Sequence, residues 1–294
     1  MLQVKTVLCP VDFSDATREG LAVAASVCLR FKARLVLQYD VAGDQATERN
    51  RELEEADEAT RRLGELVSGL PAGIEAEWRL TQGPRRAAIV NLARELPADI
   101  LVMVSAAGAD PENSSVTEMV IEEAPCPVLA VRADGGGFPG LLSEEKDLSV
   151  VAAVDFTPHS ESALSALLEM ARTLPMKVHL VTAEPSKSIE DVRHGREEAR
   201  TRLAAMVPPA VAASVSLGVL VGPPAREVLA EAKKRSADLI VVGVSLKDPV
   251  GKAVFGATSS DVLRQSPCPV WFVPEKARGH ARTPVAEPVQ APTA

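Results

Sequence analysis

The sequence predicts an α/β protein of two like-folded, doubly wound domains, each a parallel sheet with helices on both faces. Three observations predict it. The chain has 294 residues, a length that suits about two domains. Three segments recur in the same order: "TVLCPVDFSDATREGL" with "SVVAAVDFTPHSESAL", "QGPRRAAIVNLARELPADILVMV" with "VGPPAREVLAEAKKRSADLIVVG", and "EEAPCPVLAV" with "RQSPCPVWFV". Recurrence of this kind marks a repeated structural unit. Each copy also alternates short apolar runs with stretches of helical period, and the crossovers are long enough to bring the chain back to a parallel strand.

The elements follow in order. Strand one is "VLCPV" or "VVAAV", ending at Asp12 or Asp155. Helix one of the second copy places Leu164, Leu167, Leu168 and Ala171 on one face, and Thr157-Pro158 is a good N-cap and first-turn pair. Strand two is "RLVLQY" or "KVHLVT". Helix two of the second copy carries Ile189, Val192, Arg196, Ala199, Leu203 and Met206 at spacings of three and four. Arg196 alone interrupts that stripe, and its stem can snorkel. The matching run "TERNRELEEADEATRRLGEL" is charge-dense and reads as a solvated face with paired charges. Strand three alternates: Ile74, Ala76, Trp78 and Leu80, then Val215, Leu217, Val219 and Val221. Alternation places it away from the sheet centre. Strand four, "DILVMV" or "DLIVVG", is apolar on both faces and therefore central. A short helix and the strand "CPVLAV" or "CPVWFV" complete each copy. The domains accordingly span 1–133 and 147–275, joined by the glycine-rich linker 134–146. Residues 276–294, rich in Pro and Ala without apolar period, read as a disordered tail.

Composition excludes several functions. A formal net charge of -8 speaks against general nucleic-acid binding, which needs basic patches. No apolar run reaches membrane-span length, and no apolar h-region follows a basic start, so a cytoplasmic protein without membrane contact is expected. Cys9, Cys28, Cys126 and Cys268 form no C-x-x-C pair and read as buried thiols. His159, His179, His194 and His280 are scattered, with no nucleophile elbow or metal-ligand spacing, so the chain is not expected to be an enzyme.

Ligands of open parallel sheets bind beyond the carboxyl ends of the strands. In the second copy that places Asp155, Gly243 and the helix start Gly256-Ala257-Thr258 around one crevice. Glycine permits close backbone approach, and a helix start favours phosphate. A Walker loop fails: Leu246 stands at its first glycine and Ala253 at its hydroxyl. The turns "DFSDAT" and "DFTPHS" hold no glycine, so an adenylating turn fails too. The bland reading of Asp12 and Asp155 is a carboxylate capping nearby amides.

On "PVDFS", the "G-P" before helix three, "ADILVMV" with "ADLIVVG", and "APCPVLAV" with "SPCPVWFV", the chain resembles the universal stress protein family as a tandem of two domains. The resemblance covers nearly all of 4–132 and 147–274. It implies a five-stranded parallel sheet in the order 3-2-1-4-5 in each domain. Nucleotide-binding members carry G-x-x-G, nine residues, then G-[ST], with adenine near the strand-one Asp. Here Gly243 and Gly256 match the first and last glycines, Leu246 replaces the second, and Ala257, followed by Thr258, replaces the hydroxyl. Asp248 adds negative charge and Pro249 removes an amide donor. In the first copy Val104 and Ser114-Ser115 stand at the glycine positions, the loop is shorter, and Asp110 and Glu112 add acid. The resemblance therefore implies either a non-catalytic, dimer-forming scaffold or stress-response regulator, or an ATP-binding protein with one site in the second domain. The apolar "CPV" strands imply an intrachain pseudo-dimer of the two domains, with a homodimer as a further possibility. Trp271 and Phe272 are expected to be buried at that contact.

Overall fold

Strand β1 (Thr6–Pro10) is buried along its whole length, as its apolar run demands. From it the computed structural model builds the first copy. The residues described are 4–41, 49–105, 111–133, 147–172, 174–184, 189–245 and 255–275. The expected linker at 134–146 and tail at 276–294 lie outside them. After β1 come α1 (Asp15–Phe31), β2 (Arg34–Val41), α2 (Arg49–Ser68), β3 (Ala76–Gln82), α3 (Arg85–Glu95), β4 (Ile100–Ser105), α4 (Pro111–Glu123) and β5 (Val128–Arg132). The second copy repeats the series: β6 (Leu148–Ala153), α5 (Pro158–Met170), β7 (Met176–Glu184), α6 (Ile189–Ala205), a 3-10 turn (Pro209–Ser214), β8 (Val215–Val221), α7 (Pro224–Lys234), β9 (Leu239–Val244), α8 (Ala257–Gln265) and β10 (Val270–Pro274).

The ten strands make one sheet, ordered β3-β2-β1-β4-β5-β10-β9-β6-β7-β8. Each half keeps the order 3-2-1-4-5, and pairing within each half is parallel. The halves join through β5 and β10, which run antiparallel with Trp271 opposite Leu129. Antiparallel pairing of equivalent strands is what a local twofold requires. Trp271 and Phe272 are 3% and 0% exposed, so the joint is covered as expected. Two cores, one on each sheet face, run unbroken across it. One contains Val7, Val23, Leu167, Leu129 and Trp271. The other contains Leu8, Ile89, Val128, Val270 and Phe272. Each fully buried side chain of this size contributes about 1.5–3 kcal/mol.

Motif residues acquire local reasons. Asp99 accepts from the Lys5 and Thr6 amides at 2.8 and 3.0 Å. Its counterpart Asp238 accepts from the Ser149 amide at 2.9 Å. The repeated "AD" therefore ties the start of strand four to the start of strand one. Gly83 and Gly222 have φ of 108° and 144°, a region open mainly to glycine, which explains the repeated "G-P". Thr157 caps α5 and Pro158 begins it. Arg196 donates to the Val219 carbonyl at 3.3 Å, so the interruption in the α6 stripe covers part of the β8 edge. The side chains of Ile189 and Val192 lie outside the described residues. Pairing in strand three begins at Ala76, with Ile74 packed on the core ahead of it.

Candidate functional site

Both strand-one carboxylates are taken up in turn hydrogen bonding while staying largely exposed. Asp155 Oδ1 accepts from the Thr157 amide at 3.1 Å and the Thr157 hydroxyl at 2.5 Å. Its Oδ2 lies 3.7 Å from His159 Nε2. Burial pushes this carboxyl up, but the bonds from Thr157 and Ser160 and the nearby His159 outweigh it and hold the group below its ordinary value. In the first copy, Asp12 Oδ1 accepts from the Ser14 amide at 3.1 Å, the Ser14 hydroxyl at 2.6 Å and the Thr17 hydroxyl at 2.8 Å. Oδ2 faces Arg85 Nη2 at 3.4 Å. Burial again opposes ionisation, and the hydrogen bonds with the Arg85 charge bring the carboxyl down to about 2.

The next residue in each copy, Phe13 or Phe156, has φ of 60° or 61°. That left-handed backbone costs a bulky residue about 1–3 kcal/mol. In both copies an arginine from the second helix covers the ring: Arg62 at 4.1 Å over Phe13, and Arg202 at 3.8 Å over Phe156. Packing on the core and this cation–π contact hold the turn.

Gly243 and Asp155 lie near the carboxyl ends of the neighbouring strands β9 and β6. What approaches Gly243, however, is the protein itself. A Cβ there would lie 2.4 Å from the His159 carbonyl oxygen and 2.6 Å from the Ser160 amide nitrogen. The start of α5 thus sits on the glycine that sequence reasoning kept for a ligand. Gly256 is the N-cap of α8, with extended φ of -62° and ψ of 148°, and Ala257 and Thr258 form the first turn. A Cβ at Gly256 would meet nothing within 4 Å. Leu246, Asp248, Pro249 and Ala253 lie outside the described residues, as do Asp110 and the side chains of Glu112, Ser114 and Ser115.

The α8 helix is held from both ends by the first copy. Glu122 Oε1 accepts from the Phe255 amide at 2.7 Å, beside the N-cap. Glu118 Oε1 accepts from the Ser260 hydroxyl at 2.8 Å and from Arg264 at 3.0 Å. At the other end Arg132 donates to the carbonyls of Arg264 and Ser266 at 3.3 and 3.2 Å. Acid near the start and base near the end match the helix dipole. The amide just ahead of the α8 N-cap is therefore taken by Glu122, and Glu118 lies on the side of the helix.

The first copy carries the more polar crevice. Gln38, 1% exposed, donates to Asp40 at 2.8 Å and to Thr81 at 2.7 Å, and Thr81 bonds Asp40 in turn. Gln38 Oε1 is buried without a partner. Burial pushes the Asp40 carboxyl up, although Thr81, Arg85 and Gln38 pull the other way. At the equivalent second-copy positions stand Val181, Ala183, Leu220 and Pro224. Beside Asp12 and Arg85 lies a cavity of about 200 Å³. Sequence reasoning missed this cluster, whose signal was the polar-for-apolar difference between aligned copies. A larger cavity, about 540 Å³, lies between α5 and the turn after α6, with Glu161, Glu169 and Arg172 above Leu164 and Leu168. It lies away from the strand ends.

One further polar network lies between β7, β8 and α7. His179 Nδ1 is 2.8 Å from the Ser216 hydroxyl, and Nε2 is 3.3 Å from Glu231. Glu231 is bonded by Arg235 at 2.6 Å. Burial, then the charges of Arg235 and Lys234, lower the His179 pKa against the pull of Glu231. Ser216 also donates to the Val178 carbonyl at 3.4 Å, and Gly218 packs directly on the ring. The network pins α7 to the sheet. Cys9, Cys28, Cys126 and Cys268 are pushed by burial to about 12, so they are inert thiols. Among the described residues, no three His, Cys, Asp or Glu side chains gather to hold a metal ion, and no helix is long and apolar enough to cross a membrane.

The model of the universal stress protein family matches residues 3–132 and 149–274. No curated protein matches the chain. Among solved structures, a universal stress protein from Archaeoglobus fulgidus DSM 4304 is 18% identical with a TM-score of 0.72, covering 93% of this chain and 99% of its own. A putative universal stress protein from Pseudomonas aeruginosa UCBPP-PA14 is 17% identical with a TM-score of 0.59, covering 92% and 93%. A protein of unknown function from Pseudomonas aeruginosa PAO1 is 16% identical with a TM-score of 0.60, with the same coverage. At these identities the likeness is one of fold.

Proposed function

The chain belongs to the universal stress protein family, with two consecutive copies in one sheet, and from that premise we propose that it is a non-catalytic cytoplasmic stress-response protein. In this reading it works as a scaffold or regulator through its paired copies, without ATP. One observation carries the proposal: Glu122 of the first copy occupies the Phe255 amide beside the α8 N-cap. Phosphates brought there would meet this carboxylate and Glu118, and like charges that close cost several kcal/mol when partly desolvated. Gly243, covered by the start of α5, gives no support to a ligand role either.

The competing reading, ATP in the second domain, draws on Gly256 as an N-cap without a side-chain cap and on Asp155 following β6, the strand beside β9. A thermal-shift titration with magnesium and ATP decides. A ligand bound only by the folded state raises the melting temperature. No shift is expected at millimolar ATP. A saturable rise, abolished by Gly256→Asp, would replace the scaffold reading with the nucleotide one. A homodimer, if formed, has two sheet edges to use, β3 and β8, and sedimentation would detect it.

A further inference from the structure

The first-copy cavity has a charge pattern that selects its occupant. Its volume of about 200 Å³ suits a small metabolite, being below the roughly 300–1,000 Å³ of drug-sized pockets. Asp12 and Arg85 line it with opposite charges 3.4 Å apart, each side chain about a third exposed. Thr117, 1% exposed, adds a hydroxyl to the wall. Met103, Val104 and Val116 supply an apolar side. Asp40 acts on Arg85 from behind, bonded to Gln38 and Thr81.

A cation entering this crevice meets Arg85, and an anion meets Asp12. A molecule carrying an ammonium and a carboxylate on one carbon, with an apolar side chain, satisfies all three walls. We propose that the first-copy crevice binds a small zwitterionic amino acid with an apolar side chain, its ammonium on Asp12 and its carboxylate on Arg85. Asp12 is preorganised for this: Oδ1 is fixed by Ser14 and Thr17, and Oδ2 faces Arg85, which also lines the cavity. The second copy has Pro224 in place of Arg85, so one site per chain is expected. The proposal does not depend on whether ATP binds elsewhere.

The test is calorimetric titration of the full chain with L-leucine, L-leucinamide and 4-methylpentanoate. The last two keep the side chain but remove the carboxylate and the ammonium respectively. Leucine should bind in the millimolar range or tighter at one site, with each half-analogue at least about tenfold weaker. Arg85→Gln, which removes a partly exposed head group, should fold with at most a small drop in melting temperature from the lost Asp12 pairing and lose leucine about tenfold, as expected for one charge-assisted contact. Leucine failing to bind, leucinamide or 4-methylpentanoate binding as well as leucine, or Arg85→Gln leaving leucine affinity intact would each overturn the proposal. So would adenosine displacing leucine from the same site with higher affinity.

Discussion

Gly243→Ala separates a glycine kept for a ligand from one kept for packing. The added methyl would lie 2.4, 2.5 and 2.6 Å from the His159 carbonyl oxygen, its carbon and the Ser160 nitrogen. Comfortable contact needs about 3.5–4.0 Å, so the first turn of α5 must retreat by about 1 Å. The obstacle is backbone and cannot rotate away. Overpacking of this kind costs about 1–3 kcal/mol, while replacing glycine within a strand returns about 0.5–1 kcal/mol. A net loss of about 1 kcal/mol is expected, lowering the melting temperature by roughly 2–4 °C in a cooperative unit of this size. The assay is thermal and urea unfolding without any ligand. The first copy supplies a control, because a methyl on Gly20 would lie 2.4 Å from Val104 Cγ2, a side-chain atom. Gly20→Ala should destabilise, and adding Val104→Ala should restore most of the loss. If Gly243→Ala left the melting temperature within about 1 °C of the parent, the packing explanation would be wrong.

Other perturbations test the remaining contacts. Glu118→Gln with Glu122→Gln should cost about 1–3 kcal/mol and speed amide exchange in α8 more than in α4; unchanged exchange would show that the clamp contributes nothing. Arg202→Ala should cost about 0.5–1 kcal/mol through the Phe156 ring, and a urea midpoint equal to the parent's would dismiss that contact. Acid should act through Asp12. Its folded pKa, about 2, lies below its ordinary 3.8, so its stabilisation is complete above the ordinary value and disappears as pH falls toward 2. For a carboxylate about a third exposed the effect is about 1 kcal/mol after screening. The stability gap between the parent and Asp12→Asn should therefore close across that window; a gap independent of pH would assign the loss to the side chain's shape.

The architecture was legible because its causes are local or repeated. Alternation in strand three marked β3 and β8, which are the edges of the sheet, and the apolar "CPV" strands marked the joint that buries Trp271 and Phe272. The candidate site was less legible. Attention to glycine spacing chose the second copy and gave Gly243 a ligand, whereas its close neighbour is a helix start brought over it by the crossover. Gln38, Asp40, Thr81 and Arg85 lie on three elements and meet only when β2 and β3 pair and α3 begins beside them. Glu118 and Glu122 carry no spacing or motif that singles them out in the sequence. Their target, α8, comes within reach only because the halves join by antiparallel strands.

That joint also couples the two copies. A local twofold presents each copy with the other's α4-type helix, so a carboxylate gained by one is felt at a helix start of the other. Glu122 of the first copy lies on the Phe255 amide of the second, and in the proposed reading it is this contact that opposes phosphate there. In the proposed reading, a phosphate cradle there would need changes in both copies: a glycine in place of Leu246, and neutral residues at 118 and 122. The first copy is under no such constraint at β2 and β3, where its polar residues turn inward and the second copy has Val181, Ala183 and Leu220. Removing the α4 carboxylates alone should accordingly loosen α8 without creating tight ATP binding, whereas adding the glycine alone should do neither.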